Sequence, residues 1–181
     1  MIELPSEKKV FLELVFCINS PQTRYETNIK GDELKGIVER FDSITMDELA
    51  AIYKGRIRFH RRKARFCILA YGNIAEIMDV VFDGSRNAKD KRDWLYDNIK
   101  GLGMKEASHF MRNIGWDEGE LAILDVHILR YLDYPKNFIS SRKEYLALEE
   151  KFILIAKDMN KTAGDLDLEI WEKFRSKSKE D

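Results

Sequence analysis

Apolar residues recur every three or four positions along most of the 181-residue chain, and segments that alternate apolar and polar residues are almost absent. This spacing is typical of amphipathic α-helices that bury one face. The three prolines, Pro5, Pro21 and Pro135, stand far apart and interrupt few of these segments. The pattern therefore predicts an all-α fold.

Capping residues and glycines mark where the helices begin and end. Ser6 can cap a first helix, and Thr45 with Glu48 has the spacing of a capping box. A long periodic segment over 60–82 is expected to bend near Gly72. The other predicted helices cover 25–41, 87–99, 104–114, the segment from Asp125, the segment from Ser141 to Met159, and a last helix around Trp171.

Composition limits the size and class of the protein. With 44% apolar residues, including 10 Phe, 7 Tyr and 3 Trp, the chain can bury one sizeable core, so we expect one compact unit of at most two lobes. No apolar run approaches the about 18–20 residues of a membrane span, which favours an intracellular, cytoplasmic protein. Cys17 and Cys67 lie far apart without metal-ligand spacing, so we expect buried, reduced thiols and no metal site.

The formal charge of −1 hides an uneven distribution, because the segment 54–65, KGRIRFHRRKAR, carries seven Lys or Arg residues. A basic stripe of this kind is typical of a nucleic-acid contact. Taken on its own, it is more typical of the solvated face of a helix in a charge-rich protein. The charge pattern alone leaves both interpretations open.

The segment GLGMKEASHFMRN, 101–113, joins two predicted helices through Gly101 and Gly103. Such a hairpin lets backbone amides approach a phosphate closely. Lys105 falls in the first turn of the second helix, where the helix dipole disfavours a cation, and an unprotonated lysine is an amine nucleophile. Asp125 is placed to cap the next helix. A tight turn, an exposed lysine and an ordinary cap are the structural alternatives.

The segments KGLGMKEASHFMRNIG and AILDVHILRYL resemble the catalytic core of the helix-hairpin-helix DNA glycosylase superfamily. The KEASHF-x-RN motif resembles its type-2 8-oxoguanine DNA glycosylase/AP lyase branch. The segments FCINSPQT and RFHRRKARFCI extend the resemblance over most of the chain. The resemblance implies a single all-α unit over 1–181 with a DNA-binding cleft between two helical lobes. Their approximate limits are 23–120 for the central lobe, and 1–22 with 121–181 for the terminal lobe.

The resemblance also implies roles for individual residues. Lys105 and Asp125 match the catalytic lysine and aspartate of the family. His109, Ser108 and Trp171 match positions of the base pocket, and each could instead be an ordinary core residue. The chain end, FRSKSKED, lacks the basic terminus usual in the branch, although the resemblance places that end by the base. The implied DNA contacts are Gly101, Gly103, Gln22, Arg56, Arg58, Phe59 and Arg61, with Phe59 either a wedge between base steps or a core residue.

The resemblance implies a bifunctional repair enzyme, an N-glycosyl hydrolase with AP lyase activity. It would excise 8-oxoguanine from double-stranded DNA through a lysine Schiff base and β-elimination. No organic or redox cofactor is expected, but the hairpin carbonyls could bind a monovalent cation. The protein is expected to be a monomer that associates with the nucleoid when bound to DNA.

Two other functions stay open. An endonuclease III-like glycosylase for oxidised pyrimidines shares the lysine and aspartate but usually has four clustered cysteines, whereas this chain has two. A non-catalytic helix-hairpin-helix module would bind only the DNA backbone, and it would have no use for Lys105 and Asp125.

Overall fold

Ten α-helices and no β-strand occur in the parts of the chain that a computed structural model describes, residues 5–117 and 119–177, with the backbone alone for 175–177. The predicted all-α fold is confirmed. The helices are α1 (Glu7–Asn19), α2 (Gly31–Val38), α3 (Met46–Tyr53), α4 (His60–Gly72), α5 (Ile74–Val81), α6 (Ala88–Asn98), α7 (Met104–Asn113), α8 (Val126–Tyr131), α9 (Arg142–Asp158) and α10 (Ala163–Lys177).

Polar side chains cap the helices where the sequence predicts caps. The Ser6 hydroxyl accepts a hydrogen bond from the amide of Lys9 at 3.3 Å. Thr45 and Glu48 form the reciprocal capping box, in which a Glu48 carboxylate oxygen accepts from the Thr45 amide at 2.8 Å. These bonds satisfy amide groups that have no partner inside the helix.

Two helix boundaries show how backbone conformation limits a periodic pattern. The helix predicted over 25–41 is wrong in length, because α2 begins only at Gly31, which has a φ of 62°, and Lys30 before it is extended with a φ of −156°. The bend predicted near Gly72 is confirmed. Asn73, with φ −107° and ψ 10°, separates α4 from α5.

The buried apolar side chains form two clusters, one for each lobe. The first cluster joins residues of α1 to α7, such as Phe11 and Phe110. The second joins α8, α9 and α10, such as Phe152 and Ile170, to Met104 at the start of α7. The packing of α1 therefore differs from the predicted limits, which assigned 1–22 to the terminal lobe. Its apolar face is buried against α2, α4, α5 and α7.

Cys17 and Cys67 are free thiols buried in the first cluster, as predicted. Burial raises the pKa of Cys67 to about 12, and it also raises the pKa of Cys17. Both side chains therefore act as small apolar core residues. No helix in the described part of the chain is long and apolar enough to cross a membrane.

A buried polar cluster joins the two lobes. Arg92 of α6 is fully buried, and its Nη1 donates to both carboxylate oxygens of Glu149 in α9, at 2.9 and 3.0 Å. The same nitrogen lies 3.3 Å from the Ser108 hydroxyl of α7. Glu149 also accepts from the Ala122 amide at 3.1 Å, and the Tyr145 hydroxyl donates to the Ala122 carbonyl at 2.6 Å. Because these groups are buried, each depends on the others for its hydrogen bonds.

We predict that Glu149→Gln destabilises the protein by about 3 kcal/mol, because it leaves the buried Arg92 guanidinium with only one carboxylate partner, Asp93, whose Oδ1 lies 2.5 Å from Nε. The double variant Arg92→Met/Glu149→Leu should lose less, since it buries no unpaired charge. Urea unfolding at neutral pH measures both free energies, with Glu150→Gln on the exposed face of α9 as the control. Equal losses in the single and double variants would contradict this role of the ion pair.

Candidate active site

The hairpin between α6 and α7 contains two glycines, of which Gly101 cannot carry a side chain without strain. Gly101 has a φ of 96°, and a Cβ there would stand 2.7 Å from Cδ2 of Phe66. A Cβ at Gly103 would stand 2.8 Å from Oε2 of Glu106. The Leu102 amide donates to the Ile99 carbonyl at 3.2 Å and closes the turn. The predicted hairpin therefore has a steric reason for Gly101, whereas a Cβ at Gly103 would displace only the flexible end of the Glu106 side chain.

Lys105 projects from the first turn of α7 beside a carboxylate. Its side chain is 37% exposed, and its Nζ lies 3.0 Å from Oε1 of Glu106, whose side chain is only 10% exposed. This neighbour of Lys105 was not predicted from the sequence. The pair places a candidate proton acceptor within hydrogen-bonding distance of the amine.

Asp125 caps α8 and keeps one carboxylate oxygen outside the cap. Oδ1 accepts from the amides of His127 at 2.8 Å and Ile128 at 3.0 Å. Oδ2 takes no part in these cap bonds. The cap therefore fixes the direction of the carboxylate.

A cavity of about 1260 Å³ lies between the two lobes and brings the predicted residues together. It is lined by residues from the end of α1, the loop that follows, α6, α7, α8 and α10, and aromatic rings such as Tyr96 and Phe138 form part of its wall. The predicted site residues that line it are Gln22, Gly103, Lys105, His109, Asp125 and Trp171. Lys105 and Asp125 therefore face one space.

Ser108 lies outside this cavity. It is fully buried, and its hydroxyl lies 3.3 Å from both Nη1 of Arg92 and the hydroxyl of Tyr145. Its position does not support the predicted base contact. Ser108 instead joins α7 to the cluster between the lobes.

The basic segment 54–65 places its side chains in different environments. Phe59 is 43% exposed, and the guanidinium carbons of Arg58 and Arg62 lie 5.0 and 4.7 Å from its ring centre. The exposure of Phe59 excludes the core alternative. Arg58 is exposed, and Arg61 is exposed with its Nη1 3.6 Å from a carboxylate oxygen of Asp47.

Arg56 differs from Arg58 and Arg61 because its guanidinium is held by hydrogen bonds to two other segments. Its Nη2 donates to Glu33 at 2.9 Å, and its Nε donates to the Thr27 carbonyl at 3.4 Å. A phosphate contact by Arg56, as predicted, would have to compete with Glu33. The bonds tie α2 to the start of the basic segment.

A family model described as 8-oxoguanine DNA glycosylase matches residues 1–161. This chain belongs to the 8-oxoguanine DNA glycosylase family. It is 38% identical over 175 residues to the 8-oxoguanine DNA glycosylase/AP lyase of Methanocaldococcus jannaschii, covering 92% of this chain and 80% of that protein. The match to the protein of the same name from Metallosphaera sedula is also 38% identical, over 172 residues, and covers 92% and 82%.

Solved structures of the family have the same fold. The M. jannaschii 8-oxoguanine glycosylase/lyase in complex with a 15mer DNA containing 8-oxoguanine superimposes with a TM-score of 0.77, at 37% identity, over 92% of this chain and 80% of that one. The 8-oxoguanine DNA glycosylase of Thermotoga maritima gives a TM-score of 0.76 at 31% identity, over 92% and 79%. The helix-hairpin-helix fold with two lobes and a DNA-binding cleft is thereby confirmed.

In this member of the family, His109 is neutral at physiological pH. It lies one helical turn after Lys105, and its ring packs edge-on against Phe16 with 6.0 Å between the ring centres. Burial lowers the pKa of His109 to about 4, and the positive charges of Lys105 and Arg112 act in the same direction. A neutral imidazole offers the cavity both an apolar ring face and one unprotonated nitrogen.

Trp171 reaches the cavity because α10 is fastened to α7. Arg112 of α7 forms an ion pair with Asp167 and donates to the Leu121 carbonyl at 3.0 Å. Trp171, which is 39% exposed, lies one turn after Asp167 in α10 and lines the cavity. The predicted approach of the chain end to the base falls on the side chains of 175–177 and on 178–181, which lie outside the described residues.

Two residues that matter for the site were not predicted. Glu106 could have been recognised from its place next to Lys105 in the first turn of α7. Lys63 lies within the basic segment but faces inward, and its Nζ donates to the carbonyls of Asn19 and Pro21 at 2.8 and 2.6 Å. The signal for Lys63 is its position on the face of α4 that carries Ala64 and Cys67. The described residues contain no group of three or more His, Cys, Asp or Glu that could hold a metal ion.

The pKa of His109 predicts an acid-sensitive fold. Because the folded pKa of about 4 lies below the unfolded value of about 6.5, the unfolded state takes up a proton first, and stability is lost as the pH falls through this window. Wild type should lose about 3 kcal/mol more than His109→Gln between pH 7 and pH 4. Urea unfolding across this range measures the difference. Identical pH dependence in the two proteins would contradict the buried, neutral imidazole.

Proposed function

We propose that this protein is a bifunctional repair enzyme that extrudes 8-oxoguanine from duplex DNA, excises it and then cleaves the strand as an AP lyase. One observation carries the proposal: in a member of this family, Lys105 and Asp125 face the same cavity between the lobes. The cavity volume of about 1260 Å³ exceeds the needs of one base and leaves room for its sugar and phosphate. Extrusion brings the base out of the stack, where its glycosidic bond becomes accessible.

The Lys105 amine is the nucleophile in this proposal. Its nitrogen forms a bond to C1′ while the bond from C1′ to N9 breaks, and the bonding electrons leave with the base, which takes up a proton. Opening of the sugar ring then gives a protonated Schiff base between Lys105 and C1′. Loss of a proton from C2′ expels the 3′ phosphate by β-elimination, and water releases the lysine.

Glu106 is the group we assign to receive the proton of the Lys105 ammonium. An ammonium has no lone pair, so one proton must leave before nitrogen can attack carbon. Oε1 of Glu106 lies 3.0 Å from Nζ, within the distance that direct proton transfer requires. Entry of DNA would exclude water from this pair and favour the neutral amine and carboxylic acid over two charges.

Asp125 stabilises positive charge in the proposed transition state. Charge develops at C1′ and the ring oxygen as the glycosidic bond breaks, and a fixed carboxylate lowers the energy of that charge. The cap bonds at Oδ1 hold the group in one direction before substrate arrives. Little reorganisation is then needed during the reaction.

The base is recognised by stacking and by a hydrogen-bond acceptor. 8-Oxoguanine differs from guanine in carrying an oxygen at C8 and a proton on N7, so an acceptor aimed at N7–H distinguishes the two purines. Trp171 can stack on either base. The neutral ring of His109 has one unprotonated nitrogen that can serve as the acceptor, and the chain end is the other candidate.

Contacts with the DNA backbone complete the proposal. Arg58 and Arg61 meet phosphates, the hairpin amides around Gly101 and Gly103 meet another, and Phe59 inserts between base steps. No organic cofactor is required, and a monovalent cation at the hairpin carbonyls would assist phosphate binding without entering any step. We propose that the protein acts as a monomer in the cytoplasm, where its substrate, the nucleoid DNA, is found.

Lys105→Gln should abolish excision and strand cleavage while DNA binding is retained, because it removes the nucleophile but few backbone contacts. Single-turnover cleavage of a duplex with one 8-oxoguanine, together with a binding titration, measures the two effects. Lys151→Gln on the exposed side of α9 is the control and should behave as wild type. Cleavage by Lys105→Gln at the wild-type rate would exclude Lys105 as the nucleophile.

Asp125→Asn should slow base excision by about 10²–10³, since it removes one preorganised charge from the transition state. Asn is as good a helix cap as Asp, so the melting temperature should change little. A single-turnover excision assay alongside thermal unfolding separates the catalytic effect from the cap. An unchanged excision rate would reduce Asp125 to a structural residue.

A further inference from the structure

Two surface residues of this protein have a backbone conformation that helix ends do not explain. Four non-glycine residues in the described part of the chain have a positive φ. Asp133 and Asn160 directly follow the C-cap residues of α8 and α9, a position where the left-handed conformation is common. Gln22, with φ 54°, follows Pro21 in a β-turn that the Thr23 amide closes on the Ser20 carbonyl at 3.1 Å, and Phe59 has a φ of 58°. Phe59 even occupies an N-cap, a position that is normally extended.

Gln22 and Phe59 are also two of the DNA contacts that the family resemblance implies, and Phe59 is the side chain that the proposed function inserts between base steps. Gln22 is exposed and lines the cavity. Phe59 is exposed between two arginines. Strained conformations persist only where the surrounding structure holds them, so the groups that hold these two residues bear on function.

Lys63 connects the two segments through α4, which begins directly after Phe59. Its amide donates to the Phe59 carbonyl at 3.0 Å, a main-chain bond of the first helical turn that any residue but proline would make, so the side chain is what ties α4 to the Gln22 loop. Its Nζ donates to the carbonyls of Asn19 at 2.8 Å and Pro21 at 2.6 Å, and to the Thr23 hydroxyl at 3.0 Å. The acceptors therefore lie on both sides of Gln22. All three ammonium protons have a partner.

The Lys63 ammonium is buried, which is energetically unfavourable. Lys63 is only 5% exposed, and burying an ammonium is unfavourable unless its hydrogen bonds are satisfied. An apolar side chain of similar length would fill the same space. Lys91 is a useful contrast, because it is 1% exposed but its Nζ lies 4.9 Å over the Trp116 ring and away from the 19–23 loop.

We propose that Lys63 is a positioning residue that fastens the Gln22 loop to the Phe59 turn, so that both side chains enter the duplex as one rigid unit. The proposal rests on the proposed function, since extrusion of a base gives the two residues a common target. Holding the loop in advance removes the ordering cost that would otherwise slow extrusion. Lys63 itself touches neither the base nor the sugar.

The test compares Lys63→Met with Lys91→Met, each of which removes a buried ammonium from the same lobe. Duplex with 8-oxoguanine requires extrusion of a base, whereas duplex with a preformed abasic site reports the lyase step alone. Lys63→Met should excise 8-oxoguanine about tenfold more slowly than Lys91→Met, as expected for the loss of hydrogen bonds from a charged group, with abasic-site cleavage within about twofold. The fluorescence of a 2-aminopurine next to the lesion should increase when Lys91→Met binds the duplex, because the base is unstacked. It should not increase when Lys63→Met binds.

A double-mutant cycle identifies the residue through which Lys63 acts. Gln22→Ala combined with Lys63→Met should excise 8-oxoguanine no more slowly than Lys63→Met alone, because the loop can no longer present Gln22. If Lys63→Met does not fold, Thr23→Val removes one of the three acceptors and should give a smaller loss in the same direction.

Equal rates of 8-oxoguanine excision by Lys63→Met and Lys91→Met would overturn the inference. It would also be overturned if Lys63→Met slowed cleavage of the abasic and 8-oxoguanine duplexes equally, or if the rate effects of Gln22→Ala and Lys63→Met were additive. Unchanged excision by Thr23→Val would overturn it where Lys63→Met does not fold. A wild-type protein that leaves 8-oxoguanine in place would instead overturn the proposed function, and the inference with it. The wild-type assay therefore distinguishes the two failures.

Discussion

The buried ion pair between Arg92 and Glu149 is the interaction on which the site depends, because it joins the two lobes behind the cavity. Its hydrogen bonds end on Ser108 and Ala122. Ser108 follows Lys105 by one helical turn, and Ala122 stands three residues before Asp125. One cluster therefore sets the distance between Lys105 on one lobe and Asp125 on the other. A buried pair of this kind contributes specificity of arrangement more than net stability.

Preorganisation extends from this cluster to the groups that meet the substrate. The positive φ and close packing of Gly101 fix the hairpin, and the Glu106 carboxylate lies beside Gly103 while it contacts Lys105. The Lys63 side chain ties the loop around Gln22 to α4, the helix that begins directly after Phe59. Base extrusion is unfavourable on its own, so a cleft whose groups are already in place lowers the cost that binding must offset.

Local signals predicted most of the fold, and non-local packing explains what they missed. Caps such as Ser6 and Thr45 and the hairpin glycines act within a few residues, so the sequence reveals them. The burial of α1 in the first lobe and the inward direction of Lys63 depend on distant helices, so periodicity could not assign them. The resemblance predicted that Lys105, Asp125, His109 and Trp171 share one site, and all four line the cavity. It also placed Ser108 there, although Ser108 is buried against Arg92 and Tyr145, which lie far from it along the chain.

Peptide mapping of the enzyme after borohydride reduction in the presence of a duplex with 8-oxoguanine identifies the residue that forms the Schiff base with C1′. Reduction converts the Schiff base between lysine and C1′ into a stable amine, so the modified residue carries a fragment of DNA. The account predicts that the adduct is confined to the peptide that contains Lys105. An adduct on Lys63, on Lys100 or on the amino terminus, with Lys105 unmodified, would contradict it.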